Sequence, residues 1–356
     1  MSTKIVQHAF GGPEVLEIVE APVPTADLLE PGDVLVAVAA AGVNPIDVMT
    51  REGGGMAAAG NIRLPYTLGW DVAGTVEAVG ADVTGLEVGM RVLGLAQFPR
   101  EGGAYAQHAI VPADNLVPTP ENLTDEKAGA LPMAAMTAWQ AFADTTSIGH
   151  GQRVLITGAG GGVGHLAVQI ADRLGAHVVA IASEGKHDWL RKLGADEAVD
   201  YRDAQAVAAL SGTVDVALSL AAGSREAALR AVRPDGTLIA LGGGAGDLQE
   251  EAERAGIRFA PTHVRTQREW LERVVGLSAK GELTPTVTAT FALADAADAH
   301  RAVEAGHNTG KVVLLTTARD RLENSRSSAA SPSSTMPDPT DQNRPGAPRP
   351  SGRARP

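Results

Sequence analysis

The sequence predicts a two-part α/β protein, in which an antiparallel, barrel-type domain is joined to a doubly wound parallel-sheet domain. Three observations lead there. Short apolar runs separated by Gly, Pro and Asp fill residues 1–125, strands alternating with helical stretches fill 126–267, and a glycine-rich turn joins the first strand of that second block to its first helix.

A length of 356 residues suits two packed domains of roughly 100–200 residues each. Only 3% of residues are aromatic against 44% hydrophobic overall, so the core is expected to consist mainly of Ala, Val and Leu. The formal net charge of -12 argues against nucleic acid as a partner, because binding a phosphate backbone needs clustered Lys and Arg. A local basic pocket for a single phosphate stays compatible with that charge, since distant surface charges are screened within about 10 Å. The chain has no cysteine, which removes disulfides, thiolate zinc sites, iron–sulfur clusters and any Cys nucleophile. Met1–Phe10 lacks the basic and apolar regions of a signal peptide, and no apolar run approaches the roughly 20 residues that span a bilayer. No membrane association and a cytoplasmic location are the expectations.

In the first block, Asp33–Val38, Val72–Val79 and Ala109–Val111 are spaced as in an antiparallel barrel. In the second, Val154–Ile156, Val178–Ile181, Val214–Leu218 and Thr237–Leu241 are short runs of the kind buried on both faces of a parallel sheet. A helix from Arg268 to about Lys280 and a strand ending at Leu315 are expected to return to the first domain. The predicted division is therefore 1–125 with 268–318, then 126–267. From Arg319 onward the composition turns to Ser, Pro, Arg and Gly, with seven Arg against four acidic residues. Such a segment cannot offset its ordering entropy by burial, so 319–356 is expected to be a disordered tail.

After the strand Arg153–Ile156 comes Thr157-Gly158-Ala159-Gly160-Gly161-Gly162-Val163-Gly164 and then a helix-like stretch from His165 to Leu174. A dinucleotide fold needs a tight turn here, close approach of backbone N–H groups to a pyrophosphate, and close packing of helix on strand. Gly161 and Gly164 fit the second and third glycine positions, and Ala159 stands at the first. At the end of the second strand, Ala182 is neutral where an NAD enzyme usually carries Asp or Glu. Ser183 and Lys186 offer a hydroxyl and a positive charge to a 2'-phosphate. Glu184 would oppose that phosphate unless it points away, so NADPH is expected over NADH.

Ala40-Ala41-Gly42-Val43-Asn44-Pro45-Ile46-Asp47, Leu68-Gly69-Trp70-Asp71-Val72-Ala73-Gly74, Gly102-Gly103-Ala104-Tyr105-Ala106, Met136-Thr137-Ala138-Trp139 and the glycine turn resemble, in order, landmarks of the zinc-free quinone oxidoreductases of the medium-chain dehydrogenase/reductase superfamily. The resemblance covers nearly all of residues 1–318. It implies a GroES-like catalytic domain, a Rossmann cofactor domain, a cleft between them that holds the active site, and a homodimer, with the strand near Ile257–Val264 as a candidate edge. Zinc alcohol dehydrogenases of the superfamily carry Cys where this chain has Asn44 and His-Glu where it has Trp70-Asp71, so no metal is expected. The resemblance further implies that Asn44 and Thr137 lie at the nicotinamide end. Gly161, Gly162, Val163 and Gly164 would cradle the pyrophosphate beside Ala159, and Ser183, Lys186 and Tyr201 would take the 2'-phosphate. Leu241, Gly242 and Gly243 would line the carboxyl edge of the sheet or form only a turn. The segment Gly53–Gly60 departs from the family, lacking its tyrosines and reading as a flexible loop of small residues. Asp47, Asp71 or solvent remain as proton sources.

Without a Lewis acid, acceptors that delocalise the negative charge are favoured, namely quinones and α,β-unsaturated carbonyls. An enoyl reductase of polyketide-type intermediates, or an NADPH-binding protein without turnover like the lens crystallins, are the competing readings.

Overall fold

A computed structural model of the chain describes residues 1–241 and 246–316. Gly242, Gly243 and the tail expected at 319–356 lie outside those residues.

The glycine turn belongs to a six-stranded parallel sheet. From edge to edge its strands are Glu197–Val199, His177–Ile181, Arg153–Thr157, Val214–Ser219, Val232–Leu241 and Arg258–Thr262. Numbered along the chain this is the order 3-2-1-4-5-6 of a doubly wound dinucleotide-binding sheet. The four apolar runs form its centre and are buried on both faces, as Val154, Leu155, Ile156, Val178, Val179 and Leu218 show. Two strands, Glu197–Val199 and Arg258–Thr262, complete it at the edges, where shorter or more polar sequences suffice. The order reverses between Arg153–Thr157 and Val214–Ser219, the place where such sheets open a crevice at their carboxyl ends.

A second, seven-stranded sheet has the order Val287–Ala292, Lys311–Leu315, Asp33–Val43, Asp71–Val79, Arg91–Leu95, Leu116–Pro118, with His108–Pro112 also paired to Asp33–Val43. Asp33–Val43 runs five residues beyond the predicted Asp33–Val38. Register shifts between Leu35 and Val36 and between Val38 and Ala40 bend it, so that its second half pairs with Lys311–Leu315. The register of that pair sets Val312 against Val43 and Val313 against Gly42. This brings the last described strand beside the start of the helix Pro45–Arg51.

Segments near the end of the described chain dock along the glycine turn. Gly310 N–H donates to Gly160 O at 3.1 Å, Thr286 N–H donates to His165 Nε2 at 3.0 Å, and Gln169 exchanges two hydrogen bonds with the Thr284 backbone. Among the described residues, no helix is long and apolar enough to cross a membrane.

Candidate active site

The turn is built as dinucleotide binding requires. A Cβ on Gly164 would lie 2.3 Å from Gly158 O and 2.6 Å from Ala159 Cα, so only glycine lets the helix Gly164–Arg173 start this close to the strand. Ala159 is accommodated at the first position because its side chain is buried and its N–H donates to Ile181 O. Gly161 behaves differently from the expectation: its N–H closes the turn on Gly158 O at 3.0 Å. The N–H groups of Gly162 and Val163 have no acceptor among the described residues. The N–H groups of Gly160 and Gly164 likewise have none there, and the turn stands at the start of a ten-residue helix, whose positive end suits an anion.

At the expected adenosine end, Ser183 and Tyr201 follow neighbouring strands, linked by Ala182 N–H to Val199 O and by Glu184 N–H to Asp200 Oδ2. Ala182 is buried and the Glu184 side chain is exposed. Tyr201 is 52% exposed, and the Arg202 guanidinium sits 4.8 Å from its ring centre. Arg202 is a second cation at this point, one not expected from the sequence. Lys186 is not free, as expected of a phosphate ligand, but crosses Gly160 and donates to Asn308 O at 2.8 Å. To meet a phosphate it would have to exchange that carbonyl for the better acceptor of a cation. Leu241 ends its strand as expected, partly buried.

At the other end of the turn, four side chains meet. Asn44 caps Pro45–Arg51, and its N–H donates to Asp47 Oδ2 at 2.7 Å. Its Nδ2 donates to Asp71 Oδ2 at 2.9 Å, and its Oδ1 accepts from Lys311 Nζ. Lys311 Nζ also donates to Asp71 Oδ2 at 3.2 Å. Asp71 Oδ1 accepts the N–H of Met133 at 2.7 Å, capping the helix Pro132–Trp139. Gly42 makes the approach possible, because a Cβ there would sit 2.5 Å from Asp71 Oδ2. Both oxygens of Asp71 are therefore occupied by donors, which sets it apart from Asp47 as a proton source. Thr137 lies farther along the same helix, inside it rather than at its start. Pro132 opens the helix, and the Thr137 hydroxyl donates to Met133 O at 2.7 Å.

No role was expected of Lys311, which opens the strand ending at Leu315. A Lys leading directly into Val312-Val313-Leu314-Leu315 was the available signal, since a cation entering a buried strand needs a partner. Its stem lies against the turn, with Cδ 3.0 Å from where a Gly162 Cβ would be.

Asp47 is fully buried, and its Oδ1 has no hydrogen-bond partner among the described residues. Burial pushes its carboxyl up to about 7, against the pull of the Asn44 N–H. Beside it the buried Tyr105 hydroxyl approaches His300 Nε2 at 3.2 Å, and His300 Nδ1 accepts from Arg51. The buried Arg51 is held by Glu304 at 2.6 Å, Glu52 at 2.7 Å and Gly11 O at 2.9 Å. The segment after Arg51, expected to be a loop, contains a short helix, Gly55–Ala58, and the N–H of Met56 donates to Thr50 Oγ1. Its alanines favour the helical turn once the glycines have reversed the chain.

Burial also pushes the His165 imidazole down to about 4 and that of His300 down to about 3, from an ordinary 6.5. Below about pH 6.5 the unfolded chain binds two protons that the folded chain refuses, so both groups lose stability as pH falls. Asp47 works in the opposite sense: its folded value near 7 exceeds the ordinary 3.8, so its contribution falls as pH rises between them. From about pH 6.5 down to 4 the two histidines outweigh the one carboxyl. Urea midpoints are expected to drop between about pH 6.5 and 5, and a flat profile would refute the buried neutral imidazoles.

Two family models match the chain: the alcohol dehydrogenase GroES-like domain over residues 30–121, and zinc-binding dehydrogenase over residues 193–314. The quinone oxidoreductase from Coxiella burnetii superposes with a TM-score of 0.82 at 32% identity, covering 89% of this chain and all of that one. The chain belongs to the quinone oxidoreductase-type family of the medium-chain dehydrogenase/reductase superfamily. It is thus a member of an oxidoreductase family with a GroES-like and a Rossmann-type part. The Escherichia coli quinone oxidoreductase complexed with NADPH is similar at a TM-score of 0.76 and 26% identity, covering 88% of this chain and all of that one. The 2-methylene-furan-3-one reductase of Solanum lycopersicum is 31% identical over 86% of this chain and 76% of its own length. Spectinabilin polyketide synthase system protein NorB of Streptomyces orinoci is 36% identical over 85% of this chain, which spans only 14% of that protein.

Proposed function

We propose that this chain is an NADPH-dependent, metal-independent reductase of quinones or α,β-unsaturated carbonyls. The observation that carries this reading is the Lys311 ammonium, set between the glycine turn and the Asn44–Asp71 pair. Asn44 and Asp71 stand where the zinc enzymes place ligands, and here they hold a cation of the protein's own. A metal ion added among them would meet that charge at close range. The chain also has no cysteine to replace them.

NADPH fits the residues present. The open N–H groups of Gly162 and Val163 suit its diphosphate, and Ser183, Lys186 and Tyr201, with Arg202, suit its 2'-phosphate. The NADPH complex of the Escherichia coli relative supports this choice. Bound NADPH supplies the hydride. Asn44 orients the nicotinamide half, and the helix bearing Thr137 walls the cleft. Asp47 is the better-placed proton source, since it holds its proton near neutral pH and retains a free oxygen. A conjugated acceptor spreads the charge that zinc would otherwise stabilise. The furanone reductase relative favours an enone, and the polyketide synthase relative favours an enoyl thioester as the second form of the same chemistry. The Arg258–Thr262 strand, at the edge of its sheet, is where we place a homodimer contact.

NADPH oxidation measured with quinones, alkyl enones and enoyl thioesters tests the reading. Turnover of at least one class is expected, without stoichiometric metal in the protein. Tight NADPH binding with no turnover on any of them would leave a binding protein instead. Lys186→Ala is expected to weaken NADPH roughly 10- to 100-fold while leaving NADH little changed, the range for a charged hydrogen bond. Equal losses for both cofactors would remove Lys186 from the phosphate site.

A further inference from the structure

We infer that Lys311 is a positioning residue for the nicotinamide half of the cofactor, acting through the amide of Asn44. The inference rests on the NADPH reading above. A side-chain amide has an accepting end and a donating end of nearly equal size, so an Asn at a ligand site can present either one. Here the two ends meet opposite charges: Oδ1 faces the Lys311 ammonium, and Nδ2 faces Asp71 Oδ2 at 2.9 Å. Turning the amide over would set its NH2 against an ammonium and its oxygen against a carboxylate. The buried ion pair thereby permits one orientation only.

Lys311 acts at second hand because its donors are already engaged. Nζ reaches Asn44 Oδ1, Asp71 Oδ2 at 3.2 Å and Val43 O at 3.4 Å, and the residue is only 3% exposed. An ammonium has three donors, and these are three acceptors. Asn44 Oδ1, in contrast, keeps a second lone pair, which gives a sugar hydroxyl a fixed acceptor. The Lys311 stem meanwhile packs at Gly162, whose N–H is open to the diphosphate, and the preceding Gly310 N–H holds Gly160 O. One residue thus ties the diphosphate end of the site to the nicotinamide end. A site built this way holds its geometry before the ligand arrives.

The test compares binding of NADPH with binding of 2',5'-ADP, which carries the adenosine and 2'-phosphate but no nicotinamide half, by calorimetry on the full chain. Lys311→Met is expected to weaken NADPH on the order of tenfold, the worth of one oriented hydrogen bond, and to leave 2',5'-ADP within about twofold. In an Asn44→Ala background, adding Lys311→Met is expected to cause no further loss of NADPH affinity, because the amide it orients is gone. A purely structural role predicts equal losses for both ligands, or losses that add in the double variant, and either result overturns the inference. If Lys311→Met does not accumulate as folded protein, Lys311→Gln combined with Asp71→Asn removes both charges together and carries the same comparison. Wild-type protein that binds neither ligand overturns the NADPH reading itself, and this inference with it.

Discussion

Asp71→Ala is expected to destabilise the protein by about 3–5 kcal/mol, the usual result of removing one partner from a buried ion pair. The residue is fully buried and serves three donors: the Lys311 ammonium, the Asn44 amide and the Met133 N–H. Truncation leaves an ammonium without a counter-charge in a low-dielectric interior and removes the cap from Pro132–Trp139. A urea titration should show a large fall in midpoint with little change in slope. Adding Lys311→Met is expected to restore part of the loss, since no lone charge remains. A single-variant cost below about 1 kcal/mol would mean that water reaches the cluster and that the pair is an exposed one.

Gly164→Ala is expected to have the second-largest effect, for a steric reason. The added methyl would enter the space of Gly158 O and the Ala159 backbone, at 2.3 and 2.6 Å, and backbone cannot rotate away as a side chain can. Helix and turn must separate, at a cost of about 2–3 kcal/mol. The separation also carries the Gly162 and Val163 donors away from a diphosphate, so NADPH affinity should fall on the order of 100-fold. Titrations that show unchanged NADPH affinity in a folded Gly164→Ala protein would place the diphosphate elsewhere.

Much of the site was legible because its requirements are local. A turn that needs glycine where helix meets strand is visible in Gly158–Gly164 without any tertiary contact. Ser183 and Lys186 are likewise expected from a strand end alone, whereas the contact of Lys186 with Asn308 O is visible only in the fold. Thr137 was harder, because the helix was known only by its pattern and its opening depended on Pro132 and on the distant Asp71. Of the four residues expected to cradle a pyrophosphate, Gly161 alone differs, since only the folded backbone shows that its N–H closes the turn on Gly158 O. His165 and His300 look alike in sequence to any surface histidine. The fold makes them neutral links, one between the turn and Thr286, the other between Arg51 and Tyr105.

The sequence by itself determined the two kinds of sheet, the dinucleotide turn and the lack of thiolate ligands, because periodicity, glycine geometry and composition act over a few residues. Only the tertiary structure decided that Lys311 lies against Asn44 and Asp71, residues 267 and 240 positions away. That meeting depends on the register that sets Val312 opposite Val43, and on Gly42 leaving room for a carboxylate. Register between strands from opposite ends of a chain is a property of the assembled core, in which burial of every facing residue selects one alignment, and no local pattern encodes it.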